Sequence, residues 1–295
     1  MASETRSIVS EVHYPGPVVD WLREQLGEGV RASTLLPGAT TAEVSTFDVA
    51  GRHYVLKLFA KRFFVDEQPD RAVHEAAVLD ALSGVEIPAP ALVGVDGDGS
   101  FCGVPAVLMT RLPGSSGVDA VHASDLVGIA ARLHSAGITV PWTFERYCDG
   151  LETRPPVWGR DEKLWSAALE LARSAPPAED LAFIHRDYNS TNFLSRGNRV
   201  TGVVDWLSGC MGPPGIDAAR LRLDLTMEGN HDAVTAVTEA CHAVGHHIVD
   251  PFWDLVDAVD WLPFDQGLDT VDEWGDPVRR KRLEGFMRSA VDRLG

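Results

Sequence analysis

The chain is short of basic residues, short of cysteine and free of long apolar runs. Lys and Arg total 26 against 43 Asp and Glu, a formal net charge of −17. Sequence-independent nucleic-acid binding needs a basic surface, so no nucleic-acid partner is expected. Attachment to an anionic membrane is disfavoured for the same reason, whereas cationic ligands suit the acid excess. The four cysteines, Cys102, Cys148, Cys210 and Cys241, lie far apart and form no Cys-x-x-Cys pair. Scattered thiols fit a reducing compartment, and a cytoplasmic protein is expected. No stretch approaches the ~18 apolar residues of a bilayer span. Met1–Arg6 has no apolar segment, so no secretory signal is expected. Internal repeats and low-complexity segments are lacking too.

What remains is an ordinary globular composition: 295 residues, 45% hydrophobic and 23% charged. At ~100–200 residues per domain, this allows one large domain or two ordinary ones. Residues 17–27 read as a short amphipathic helix ending at Gly27. Strand-like runs follow at 41–49 and 53–59, around the turn Ala50-Gly51-Arg52. Residues 70–83 read as a helix with Val73, Ala77 and Leu82 roughly on one face. Two further strands are predicted at 91–95 and 104–112. After Leu112-Pro113-Gly114 helices dominate, at 123–136, 160–174, 214–228, 232–249 and 277–294, broken by a β-rich patch at 183–206. The chain therefore divides into a β-rich part, residues 1–112, and a helix-rich part, residues 113–295.

The most informative stretch is Phe183-Ile184-His185-Arg186-Asp187-Tyr188-Asn189-Ser190-Thr191-Asn192-Phe193-Leu194, with Val203-Val204-Asp205-Trp206 shortly after. It reads as an apolar strand, a loop holding Asp187 and Asn192, and a hairpin ending at Asp205. Phosphoryl transfer uses such a set: one carboxylate orients a hydroxyl and accepts its proton, while a second carboxylate and an amide oxygen are hard ligands for Mg²⁺ on a triphosphate.

The pattern His-x-Asp-x-x-x-x-Asn followed by apolar-Asp-Trp resembles the aminoglycoside phosphotransferase family, which shares the protein-kinase fold. Leu133-His134-Ser135-Ala136 and the run from Gly212 to Ala219 are similar to further family segments. The resemblance implies a two-lobed α+β fold, with a small β-rich N-terminal lobe and a larger helical C-terminal lobe. It makes Asp187 the catalytic base and Asn192 and Asp205 the Mg²⁺ ligands, with His185 a buttress of the loop. Many members carry Gly where this chain has Arg186; Arg186 is read as structural. Asp217 fits a helix N-cap that braces the loop.

By the same resemblance the N-terminal part holds ATP or GTP. Lys57, in an apolar strand, pairs with Glu75 on the helix to position the phosphates. Pro37–Thr41 takes the place of the phosphate-covering loop without its glycine pattern, so Thr40 and Thr41 are candidate phosphate contacts. Met109 and Arg111 match the segment whose backbone would hold the purine. Only eleven residues separate Asp205 from Asp217, too few for an activation loop and peptide-docking segment, which points to a small-molecule acceptor.

Residues 250–276 hold nine carboxylates and no Lys or Arg, interleaved with Trp253, Trp261 and Trp274. Carboxylates and indole rings suit amines, so Asp254, Asp257, Asp260, Trp261 and Asp265 are candidate acceptor contacts, against a solvated acidic face. His242, His246 and His247 are read as a helix end rather than a metal site. The expected activity is transfer of a γ-phosphoryl group to a hydroxyl of a cationic antibiotic, an aminoglycoside or a tuberactinomycin-type peptide. The alternatives are a metabolic kinase acting on choline, homoserine, a sugar or a macrolide, and an inactive kinase-like binding protein.

Overall fold

The computed structural model describes residues 11–12, 14–27, 33–36, 41–60, 70–147, 149, 154–178, 180–244, 249–260, 262 and 276–294. The chain forms two compact units, one drawn from Met1–Gly84, Pro88–Pro113 and Val204–Leu207, the other from Val85–Ile87, Gly114–Val203 and Ser208–Gly295. The N-terminal region is built on a β-sheet and the C-terminal region on helices, the α+β arrangement expected from the sequence.

The first unit is a six-stranded antiparallel sheet. Its strands are β1 (Glu11–Val12), β2 (Ser33–Leu35), β3 (Glu43–Val49), β4 (Arg52–Leu58), β5 (Leu92–Asp96) and β6 (Ala106–Thr110), in the order β1-β2-β3-β4-β6-β5. A two-residue turn joins β3 to β4, with Ala50 and Gly51 at φ 51° and 78°. Positive φ at both positions matches the twist of a tight hairpin. Tyr54, Leu56 and Leu58 enter a core with Val18, Trp21 and Leu22 of helix α1 (Gly16–Leu26). Lys57, one residue out of phase, therefore faces the opposite side of the sheet.

Helix α2 (Arg71–Ala81) packs against β5 and β6. Its buried residues are Ala72, Glu75, Ala76, Val78 and Leu79, while Val73 is exposed. The expected face through Val73 and Ala77 is thus rotated. A carboxylate, not an apolar side chain, occupies the centre of the inward face, which the hydrophobic pattern alone could not register.

The second unit contains β7 (Ser115–Ser116), α3 (Ala123–His134), α4 (Glu162–Arg173), β8 (Ala182–Ile184), β9 (Phe193–Arg196), β10 (Arg199–Val203), β11 (Cys210–Gly212), α5 (Gly215–Glu228), α6 (His231–Ala243), α7 (Pro251–Asp260) and α8 (Pro277–Leu294). Two small sheets, β10-β9-β7 and β11-β8, carry the loops between helices. Leu164, Trp165, Ala168, Leu169 and Ala172 of α4 meet α5, α7 and α8 in one core. The spacing of those residues is that of an amphipathic helix. Helix α7 was read from sequence only as part of an acidic segment; Phe252–Val259 are in fact all buried. Helices α5 and α7 approach closely at Gly215, where a Cβ would collide with the Trp253 ring. No described helix is long and apolar enough to cross a membrane.

Candidate active site

In the first unit, Lys57 lies mid-strand, its neighbours Val44 and Val107 on the flanking strands. Its Nζ donates to Glu75 Oε1 at 2.5 Å and to Asp205 Oδ1 at 2.7 Å. Glu75 is fully buried, and Asp205 adopts a left-handed backbone at φ 64°. That conformation is uncommon for a non-glycine residue. Burial alone would push the Lys57 ammonium down; the Asp205 and Glu75 carboxylates outweigh it and hold the lysine above its usual range. Burial raises Glu75, against the pull of Lys57. The triad is thus a buried ammonium clamped between one inaccessible and one half-exposed carboxylate.

Thr41 is half-buried at the entry to β3; Thr40 and the rest of Pro37–Thr40 lie outside the described residues. Met109 is buried within β6. The Arg111 N–H donates to the His53 carbonyl and is therefore not left for a ligand.

In the second unit, β8 leads into the loop beginning at His185. The carboxylate of Asp217, wholly buried, accepts the backbone N–H groups of His185 and Arg186 at 3.0 and 2.9 Å and lies 3.0 Å from His134 Nε2. Asp217 is not the N-cap: Pro214 takes that position, and Asp217 sits inside the first turn of α5, aimed at the loop. Tyr188 anchors the far side, its hydroxyl donating to the Leu126 carbonyl and its ring against Phe193.

Asp187 is held at both oxygens. Asn189 Nδ2 and Arg220 Nε donate to Oδ1 at 2.7 and 3.2 Å, and Asn192 Nδ2 donates to Oδ2 and to the Asp187 carbonyl, both at 3.0 Å. Asn189 Oδ1 also accepts from the Thr191 N–H and hydroxyl, closing a 3₁₀ turn over Ser190–Asn192. Asn189 and Arg220 were not anticipated. Their only sequence signal is spacing: Asn189 is inside the motif, and Arg220 follows Asp217 by three residues, on the same helix face.

A cavity of about 200 Å³ opens beside Asp187, lined by Tyr147, Arg186, Arg220, Asp257 and Asp260 among others. Arg186 Nη2 pairs with Asp260 Oδ2 at 2.9 Å, and Nη1 lies 3.6 Å from Asp257 Oδ1. Asp257 is buried and pushed up to about 7 by loss of solvent, against Arg220 and Arg186 and with Asp260 and Asp187 adding to the rise. Asp254 is placed elsewhere: it is 1% exposed, bidentate to Arg222 and paired with Arg293, and does not line this cavity. Trp261 and Asp265 lie outside the described residues, as do His246 and His247; His242 is exposed at the end of α6.

A model of the APH family, described as a phosphotransferase enzyme family, matches residues 34–252. Comparison with curated protein sequences gave no match. Among solved structures, a thermostable mutant of aminoglycoside phosphotransferase APH(4)-Ia in ternary complex with AMP-PNP and hygromycin B is similar at a TM-score of 0.65 and 16% identity, over 94% of this chain and 98% of that one. The type VIII aminoglycoside-3'-phosphotransferase is similar at a TM-score of 0.56 and 23% identity, over 82% and 99%. Choline kinase LicA from Streptococcus pneumoniae is similar at a TM-score of 0.62 and 15% identity, over 93% and 98%. At these identities the likeness describes the fold.

Proposed function

Since the chain belongs to the phosphotransferase enzyme family, we propose that it moves the γ-phosphoryl group of ATP or GTP to a hydroxyl of a small molecule in the cytoplasm. The observation that carries this reading is the pairing of Lys57 with both Glu75 and Asp205. A buried lysine with a purely structural role could be neutralised by Glu75 alone, whereas a phosphate-positioning lysine needs both a buried anchor and an accessible metal-binding partner. In this reading Lys57 neutralises the phosphates and Glu75 holds it in place. Asp187, its two oxygens oriented by Asn189, Arg220 and Asn192, takes the proton of the acceptor hydroxyl.

The residues fit Mg²⁺, which is bound through one or two carboxylates together with substrate phosphates. Asp205 offers a half-exposed carboxylate. Asn192, fastened to Asp187 through its nitrogen, keeps its amide oxygen for a hard cation. When bound, the ion neutralises charge developing on the triphosphate; the chain's own contribution is positioning and a fixed electrostatic environment. Thr41 remains a candidate for phosphate contact, and for the purine the carbonyl side of the backbone at Arg111 remains, its N–H being bonded to His53.

For the acceptor, the cationic-antibiotic reading draws on the acidic α7 segment and on the hygromycin B complex of a similar structure. The ion pairs favour the second reading, a compact metabolic alcohol. Asp254 is consumed by Arg222 and Arg293, and Asp260 by Arg186. An inactive binding protein would not need Lys57, Asp187, Asn192 and Asp205 together.

The test is Mg²⁺-dependent turnover of ATP and GTP across aminoglycosides, tuberactinomycins, macrolides, choline and homoserine. Asp187→Asn is expected to lower kcat by about 10²–10⁴-fold, as loss of a general base does, with nucleotide affinity kept. Equal turnover in the variant overturns the assignment of the base; failure to bind nucleotide overturns the reading altogether.

A further inference from the structure

Arg186 immediately precedes Asp187, and its backbone lies at φ 70°. That region favours glycine, and a long side chain persists there only when its surroundings hold it. Arg186 is held: it is 6% exposed. Its guanidinium lies 4.5 Å from the Phe144 ring centroid and 4.5 Å from that of Tyr147. Asp260 and Asp257 face it as ion-pair partners at 2.9 and 3.6 Å. Two aromatic faces and two carboxylates form a receptor for a cation. Here the receptor is filled by the chain itself, against the cavity that contains Asp187. One group stays unused: Asp257 Oδ2 is buried without a hydrogen-bond partner among the described residues. The cavity, about 200 Å³, is below the ~300–1,000 Å³ of typical ligand pockets.

We infer that Arg186 is the specificity-determining residue of the acceptor cavity: its guanidinium occupies the cation site beside Asp187, so the acceptor fragment entering there is compact and uncharged, and offers one hydrogen-bond donor to Asp257. This rests on the phosphotransferase reading above. An internal guanidinium disfavours an acceptor ammonium twice, by occupying its site and by repelling it. Removing the side chain leaves a vacant receptor of matching charge, and glycine suits the backbone.

The experiment compares choline with 3,3-dimethylbutan-1-ol, its uncharged isostere, by calorimetric titration into the Mg²⁺–ADP complex. The wild-type protein is expected to bind the neutral alcohol more tightly than choline. In Arg186→Gly the order reverses, with choline tightened about tenfold and ADP affinity unchanged. Millimolar guanidinium chloride should then compete with choline in the variant. Adding Asp257→Asn to Arg186→Gly should abolish the gain. A structural role for Arg186 would lower stability without changing the ratio of the two affinities.

The inference is overturned if wild type prefers choline, if the ratio is unchanged in Arg186→Gly, or if that variant binds no choline. Should Arg186→Gly fail to fold by circular dichroism, Arg186→Gln carries the same measurement and the same expected direction. ADP titration of the wild type separates the two levels. No ADP binding overturns the phosphotransferase reading, whereas ADP binding with an unchanged ratio overturns only the role of Arg186.

Discussion

Replacing Asp217 by asparagine removes one charge and keeps the size of the side chain. The wild-type carboxylate is wholly buried and accepts the N–H groups of His185 and Arg186, one on each oxygen, with His134 Nε2 sharing Oδ2. An asparagine has one acceptor oxygen and one donor nitrogen. Whichever way it turns, an N–H of the loop meets an NH₂. One charge-assisted hydrogen bond is lost, at about 1.5–3 kcal/mol, and one buried donor is left unsatisfied, at about 1–3 kcal/mol. These overlap in part, and a loss of about 3 kcal/mol is expected. At ~2–4 °C per kcal/mol for a domain of this size, the melting temperature falls by about 6–12 °C. Urea unfolding followed by tryptophan fluorescence measures the loss. Turnover at a temperature where the variant is folded should also fall, because the same two N–H groups set the backbone leading into Asp187. A loss below about 0.5 kcal/mol, with turnover unchanged, would refute the claim that Asp217 braces the loop, since such an effect is no larger than a surface substitution.

Removing Lys57 as Lys57→Met strands Glu75 in the core; a loss of about 3–5 kcal/mol is expected, shrinking as the pH falls and Glu75 takes up a proton, and Glu75→Gln added to it should restore much of the loss in chemical denaturation at pH 7. Asp257 is raised in the folded protein from 3.8 to about 7, so the native state binds a proton that the unfolded chain releases between those values. The stability it contributes is present at low pH and lost as the pH rises through about 7, and the wild type should gain on Asp257→Asn by up to ~1.4 kcal/mol per pH unit on acidification in that window; parallel pH profiles would exclude this. Gly215→Ala places a methyl group against Trp253, and overpacking is expected to destabilise by about 1–3 kcal/mol, read by thermal unfolding.

The order of elements was largely legible because it rests on local patterns. The β3–β4 hairpin, α3, α4 and α5 lie close to where periodicity and turn residues put them. Helix α7 was not legible: its Asp254 and Asp257 read as acceptor contacts or a solvated acidic face, and arginines drawn from elsewhere in the chain, Arg222 and Arg293 for Asp254 and Arg186 and Arg220 for Asp257, make their burial possible. The same cause explains α2, where Lys57 makes it possible for Glu75 to occupy a core position that the apolar pattern assigned to its neighbours.

By itself, then, the sequence determined the class of chemistry. Asp187, Asn192 and Asp205 are spaced along one loop and hairpin, and short-range spacing is a property of the chain. Tertiary structure decided which charges are spent and which remain available. Asp217 faces the loop rather than capping its helix, Asp254 lies in an arginine-paired core, and the Arg186 guanidinium lies between two aromatic rings and two carboxylates next to Asp187. Those outcomes depend on hydrogen bonds and ion pairs to carboxylates between residues 31 to 74 positions apart. Each such pair trades desolvation against a partner that only the folded chain brings near.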